Sequence, residues 1–151
     1  MDRLDKFARE AQEEILAEAR RQYSEAVIDH WMNPRGAGPM EQPDGHAAFT
    51  GPCGDTMEIF LRVADGVIVD ARFVTDGCAT TIASASMAVE LSLGATVRDA
   101  LEISQKRILR RLGGLPEENR HCAFLAECTL KAAISDYLQR RQLRVAAAAG
   151  R

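Results

Sequence analysis

From residue 56 to 63 the chain alternates: Met57, Ile59, Leu61 and Val63 fall on one side, Glu58 and Arg62 on the other, with Phe60 on the polar side. A period of two predicts a half-buried strand. Val67, Val69, Ala71 and Phe73 repeat the alternation, and Asp65-Gly66 between the two runs is a strong hairpin signal because both positions tolerate positive φ. An antiparallel hairpin is expected, with His46 to Thr50 as a short edge strand ahead of it. Elsewhere the apolar positions follow helical spacing. Leu4, Phe7, Ala8, Ala11, Ile15 and Ala19 make an amphipathic stripe over 1–22, which predicts a packing or dimerising helix. Residues 23–32 continue or restart it, with Val27, His30 and Trp31 on one side, until Asn33-Pro34 ends the run. His30 reads as a packing histidine rather than a ligand. Residues 79–93 predict a helix ended by Gly94, and Thr96 to Asp99 resembles a capping start leading through Ile103, Ile108, Leu109 and Leu112 to the stop at Gly113-Gly114. After the linker Leu115-Pro116, a last helix is expected from about Cys122 to Leu143, burying Leu130, Ala133, Ile134, Tyr137 and Leu138. Residues 145–151 are expected to fray.

A chain of 151 residues suits one domain, and 46% hydrophobic with 27% charged residues is the composition of a soluble globular protein. No apolar run approaches the roughly 20 residues of a membrane span. The charged N-terminus lacks the apolar stretch of a signal peptide, so a cytoplasmic protein with no membrane partner is expected. A formal charge of -3 argues against nucleic acid as a partner. Charge is uneven, with acids concentrated in 41–76 and Lys106, Arg107, Arg110 and Arg111 clustered later. Solvated faces are the simpler reading of both groups, and a protein docking surface the alternative.

The four cysteines change the picture. Cys53 lies twelve residues before Asp65 and Cys78 thirteen after it, so both stand just beyond the open end of the same hairpin. Strands run about 5 Å apart, which lets the two sulfurs meet. Cys122, beside His121, precedes a helix as Cys78 does, and a helix N-terminus favours thiolate over thiol. Cys128 is expected to be packing, because six helical residues rotate it about 120° from Cys122. Three thiols with Asp55 or His121 can complete a tetrahedral zinc site or hold a two-iron cluster. Cluster assembly, stored zinc and structural zinc all remain open on residue types alone. No phosphate-binding loop, HExxH helix or protease arrangement is present, so hydrolase and nucleotidase readings have no support.

Tyr23 to His30 followed by Asn33-Pro34-Arg35, Gly51-Pro-Cys53-Gly-Asp55, Asp76-Gly-Cys78-Ala and His121-Cys122-Ala-Phe-Leu-Ala126 together resemble the NifU/IscU-type iron-sulfur cluster scaffolds, over about 23–140. The resemblance implies an α+β fold, a three-stranded antiparallel sheet packed by helices (SufE/NifU-like), in a domain of 23–144. Residues 1–22 are an extra N-terminal helical extension and 145–151 a tail. It implies a scaffold rather than an enzyme, on which a transient 2Fe-2S cluster is built from iron and from sulfur supplied by a NifS/IscS-like cysteine desulfurase, then passed to apo client proteins. A ferredoxin-like electron donor is a further implied partner. Carried over by motif, the cluster or metal ligands are Cys53, Cys78 and Cys122 with Asp55 and His121, and Cys122 is the candidate sulfur acceptor. Zinc can take the place of the cluster. Asp55, a hard ligand among soft ones, favours release.

The chain departs from the family where Leu-Pro-Pro-Val-Lys is replaced by Leu115-Pro-Glu-Glu-Asn119, which removes the basis for expecting a dedicated chaperone. The alternative function is a zinc-dependent sulfur acceptor or sulfurtransferase of the SufU type. That branch resembles the chain less, since it typically lacks the histidine found here as His121 and carries an insertion before its third cysteine.

Overall fold

The computed structural model of the chain describes residues 2–150. The elements run α1 (Arg3–Gln22), α2 (Glu25–Met32), β1 (Gly45–Thr50), β2 (Thr56–Ala64), β3 (Val67–Thr75), α3 (Ala79–Ser92), α4 (Val97–Ala100), α5 (Gln105–Leu112), a 3-10 turn at Glu117–Asn119 and α6 (His121–Ala149). The hairpin forms as the alternation requires: β2 and β3 pair antiparallel across Asp65 and Gly66, whose φ angles are 52° and 76°. β1 pairs antiparallel with the other edge of β2, giving the order β1-β2-β3. The fold is α+β, as expected.

Met57, Ile59 and Leu61 are wholly buried under the helices, each contributing about 1.5–3 kcal/mol of apolar burial. Strict alternation fails once. The register shifts at Arg62/Val63, so Ile68 turns inward with Ala71 and Phe73 while Val69, expected on the inner face, is 52% exposed. A bulge inserts one unpaired residue and reverses the side-chain direction beyond it.

α6 crosses β1 and β2, while α3 packs on β3 between α2, α5 and α6. Small residues let α3 sit there, buried from Ala83 through Val89 with almost no polar face. His30 is buried and satisfied, as expected, with Nδ1 2.7 Å from Ser86 Oγ and Nε2 3.5 Å from Glu90. The same Ser86 hydroxyl accepts the Arg35 amide at 2.8 Å.

Ser24 caps α2, accepting the Val27 amide at 3.1 Å while its hydroxyl donates to the Leu112 carbonyl, so of the two courses expected the helix restarts rather than continues. The helices correct the sequence reading in three places. The run expected as one helix from Thr96 to Leu112 is two, because Ser104 adopts extended backbone and caps α5 through the Arg107 amide at 3.2 Å. α6 starts at His121 and continues through Ala149, across most of the stretch expected to fray, with its last turns exposed. Leu138, assigned to the buried stripe, is 38% exposed because α6 has passed the end of the sheet by then. The stripe on α1 finds little cover among the described residues: Leu4, Phe7 and Ile15 are exposed and only Ala19 is buried.

Candidate functional site

Three element boundaries meet at the end of the sheet where β1 passes into β2. The connection 51–55 is closed by the Gly51 amide donating to the Asp55 carbonyl at 2.8 Å and the Gly54 amide donating to the Gly51 carbonyl at 3.0 Å. This tight turn carries Cys53 at its exposed tip and Asp55, half-buried, at its base. The Asp76 carboxylate accepts the Thr56 amide at 2.8 Å and the Thr75 hydroxyl donates to the Thr56 carbonyl at 2.7 Å, fastening the turn to the chain leaving β3. That chain delivers Cys78 to the N-cap of α3, and the first turn of α6 brings Cys122 against it.

Two side chains that the sequence reading missed occupy the centre. Thr80 Oγ1 lies 3.3 Å from Cys78 Sγ and 3.4 Å from Cys122 Sγ. Thr81 Oγ1 lies 3.5 Å from Cys122 Sγ and 3.8 Å from Cys78 Sγ, and donates to Asp55 Oδ2 at 3.0 Å. Both threonines are buried. The signal for them was their offset, two and three residues after a cysteine at a helix start, which turns their hydroxyls toward its sulfur.

The thiols are not equivalent. At Cys78 partial burial pushes the pKa up, but the hydroxyls and amides of Thr80 and Thr81 outweigh it and hold the thiol below its ordinary value. Those amides face the sulfur without completing a regular cap hydrogen bond. Cys122 is only 2% exposed, and burial raises its pKa despite the same two hydroxyls, with negative charge on Cys78 and Cys53 adding to the rise. That charge is the only link between Cys53 and Cys122, which share no hydrogen bond.

His121, half-buried at the start of α6, has Nε2 3.8 Å from Cys122 Sγ. Its other neighbours form an apolar pocket of about 120 Å³ walled by Phe49, Pro52, Phe124, Leu125 and Cys128. Cys128 is therefore not sealed core packing as expected; it is half-buried and lines an open pocket beside the site. Seven residues after His121, it returns to within about 20° of the same helix face. Burial and the neighbouring Glu127 charge raise its thiol pKa, with Lys131 opposing.

The structure thus gathers Asp55, Cys78 and Cys122 around two hydroxyls, sets His121 beside Cys122, and leaves Cys53 at the loop tip. Among the described residues no three Cys, His, Asp or Glu side chains converge closely enough to hold one ion. Shared coordination requires the Cys78, Cys122 and Asp55 side chains to turn toward one another past the threonine hydroxyls that they now contact. The chemistry of the donors fits soft metals: thiolates and imidazole for zinc or iron, with one carboxylate as the hard, exchangeable member. No helix among the described residues is long and apolar enough to cross a membrane.

The chain is similar to known proteins over most of its length. The chain is 44% identical over 119 residues to the iron-sulfur cluster assembly scaffold protein IscU 1 of Archaeoglobus fulgidus, covering 78% of each chain. To the iron-sulfur cluster assembly scaffold protein IscU of Rickettsia prowazekii it is 42% identical over 125 residues, 80% of this chain and 95% of the other. Its fold is similar to that of a nitrogen-fixing NifU-like protein (N-terminal) from Brucella abortus, with a TM-score of 0.54 at 23% identity over 79% of this chain and 94% of that one. The model of the NifU-like N terminal domain matches residues 22–144, so α1 lies outside the shared region except for its last residue, Gln22. The chain belongs to the NifU-like N terminal domain family.

Proposed function

We propose that this protein is a scaffold for iron-sulfur cluster assembly, building a 2Fe-2S cluster on Cys53, Cys78 and Cys122 with Asp55 and His121 and passing it to apo proteins. The observation that carries the reading is the meeting of Cys78, Cys122 and Asp55 within one hydroxyl-bridged group at the junction of three elements. IscU relatives named as scaffolds support it. A scaffold must both collect soft ligands and let the product go. Exposed Cys53 and Cys78 are open to delivery. Cys78 has the more available thiolate, because Thr80 and Thr81 hold its pKa down.

Cys122 is the sulfur acceptor in this reading. Being 2% exposed, it must be uncovered before a desulfurase persulfide reaches it. The thiolate attacks the outer sulfur, the donor cysteine leaves as thiolate, and the sulfane sulfur stays on the scaffold. An electron donor then reduces it to sulfide. Asp55 supplies the exchangeable oxygen ligand, and zinc occupies the same ligands when iron is scarce. The work takes place in the cytoplasm, and Leu115-Pro-Glu-Glu-Asn119 gives no basis for a dedicated chaperone. Anaerobic incubation with ferrous iron, cysteine and a cysteine desulfurase tests the reading: visible bands and Mössbauer parameters of a 2Fe-2S cluster are expected. Tight zinc with sulfur transfer and no cluster would establish the zinc-dependent sulfur acceptor instead.

A further inference from the structure

The hydroxyl of Thr81 stands at the centre of the site with no role in the ligand set. The shortest of its contacts is the hydrogen bond it donates to Asp55 Oδ2 at 3.0 Å, with Cys122 Sγ at 3.5 Å and Cys78 Sγ at 3.8 Å farther off. The side chain is enclosed: Thr81 is wholly buried, and the Gly77 backbone packs so close that a Cβ there would stand 2.6 Å from the Thr81 Cβ and 2.7 Å from its Oγ1. The only carboxylate of the candidate set is therefore parked on a fixed donor while no three ligands converge among the described residues.

We infer that Thr81 is a positioning residue for release: its hydroxyl is the seat to which the Asp55 carboxylate returns when it gives up a metal. The inference rests on the scaffold reading of Asp55. A bare carboxylate leaving a metal inside a half-buried pocket has lost its partner and rebinds; one that is caught by a fixed hydroxyl does not. In the exchange the Asp55 oxygen–metal bond breaks, the Thr81 O–H hydrogen bond to Oδ2 forms, and the opened coordination position is taken by a thiolate of the acceptor protein. No electron moves and no proton leaves Thr81. A ligand that orients Asp55 onto the metal would act oppositely, slowing release.

The test uses the full chain loaded with Co(II), whose sulfur-to-cobalt absorption reports thiolate ligation, and follows loss of that band on mixing with excess chelator. Thr81→Val, which keeps the volume and removes the hydroxyl, is expected to release roughly tenfold more slowly, the factor one hydrogen bond to a charged group commonly provides. Thr81→Ser restores the wild-type rate. Asp55→Ala also slows release, and adding Thr81→Val to it changes nothing further. Release from Thr81→Val at the wild-type rate or faster, with Asp55→Ala slowed, overturns the role of Thr81 alone. Slowing that persists undiminished in the Asp55→Ala background also overturns it, because the side chain then acts through packing. A wild-type chain that takes up no Co(II), or one whose thiolate band is undiminished by replacement of Cys78 by serine, overturns the scaffold reading together with this inference.

Discussion

β1 lies against α6 only because residue 45 has no side chain. A Cβ at Gly45 would stand 2.5 Å from the Ala133 carbonyl oxygen, 2.8 Å from Tyr137 Cβ and 3.3 Å from the Tyr137 amide nitrogen. Two of these atoms are helix backbone, which cannot step aside without moving the strand or the helix. Overpacking costs about 1–3 kcal/mol, and contact with backbone places Gly45→Ala near the top, about 3 kcal/mol. For a chain of this size that lowers the melting temperature by roughly 6–12 °C. The displacement also reaches the site. β1 runs directly into the 51–55 turn, and the Cβ position of Gly51 lies 3.5 Å from Leu125 Cδ2 on the same helix, so lifting β1 separates the Asp55 turn from Cys122. Thermal unfolding by far-ultraviolet circular dichroism and zinc affinity by chelator competition should both fall for Gly45→Ala. Gly94→Ala is the control: its φ of +81° imposes strain, but no atom lies within 4 Å of the added Cβ. Its cost is about 1–2 kcal/mol, with zinc affinity unchanged. A Gly45→Ala protein that melts with the wild type, or that binds zinc as tightly, refutes the argument.

Serine at Cys53, Cys78 or Cys122 should abolish cluster formation in anaerobic reconstitution, whereas Cys128→Ser keeps it; equal loss at Cys128 would bring the pocket thiol into the ligand set. His30 links stability to pH. Burial pushes its pKa below the ordinary 6.5, and Arg35 acts the same way against Glu90, so the folded state binds fewer protons than the unfolded chain below that value. Its contribution is whole above about pH 6.5 and is lost as pH falls through the depressed folded value. The melting temperature should therefore drop more steeply as pH falls below about 6.5 in wild type than in His30→Gln. Equal slopes would remove His30 as the cause.

The hairpin was legible because alternation and an Asp-Gly turn are local properties, and counting outward from Asp65 placed two cysteines at one end of the sheet. The bulge was not, since nothing in Val67-Ile68-Val69 distinguishes which valine or isoleucine faces in once one residue is unpaired. Ser104 carries a readable cap chemistry that divides the run from Thr96 to Leu112 into two helices, and Ser24 carries the cap that decides for a restart after Gln22. Thr80 and Thr81 escaped for a different reason: their role exists only where the 51–55 turn, α3 and α6 meet, and no single segment contains it. Cys128 shows a half-used inference. The rotation that takes it away from Cys122 carries it to the face of His121, and the same helical arithmetic contains both statements.

The central claim is that a cluster assembled on this chain is a product to be handed on. Its most direct test is transfer: protein carrying a reconstituted cluster is mixed anaerobically with apo-ferredoxin and excess iron chelator, and the circular dichroism of holo-ferredoxin is followed in time. The ferredoxin signal is expected to grow as the scaffold signal decays, at a rate the chelator does not change and that Asp55→Ala reduces. Ferredoxin that fills only when chelator is absent, at the rate given by free iron and sulfide without this protein, would contradict it.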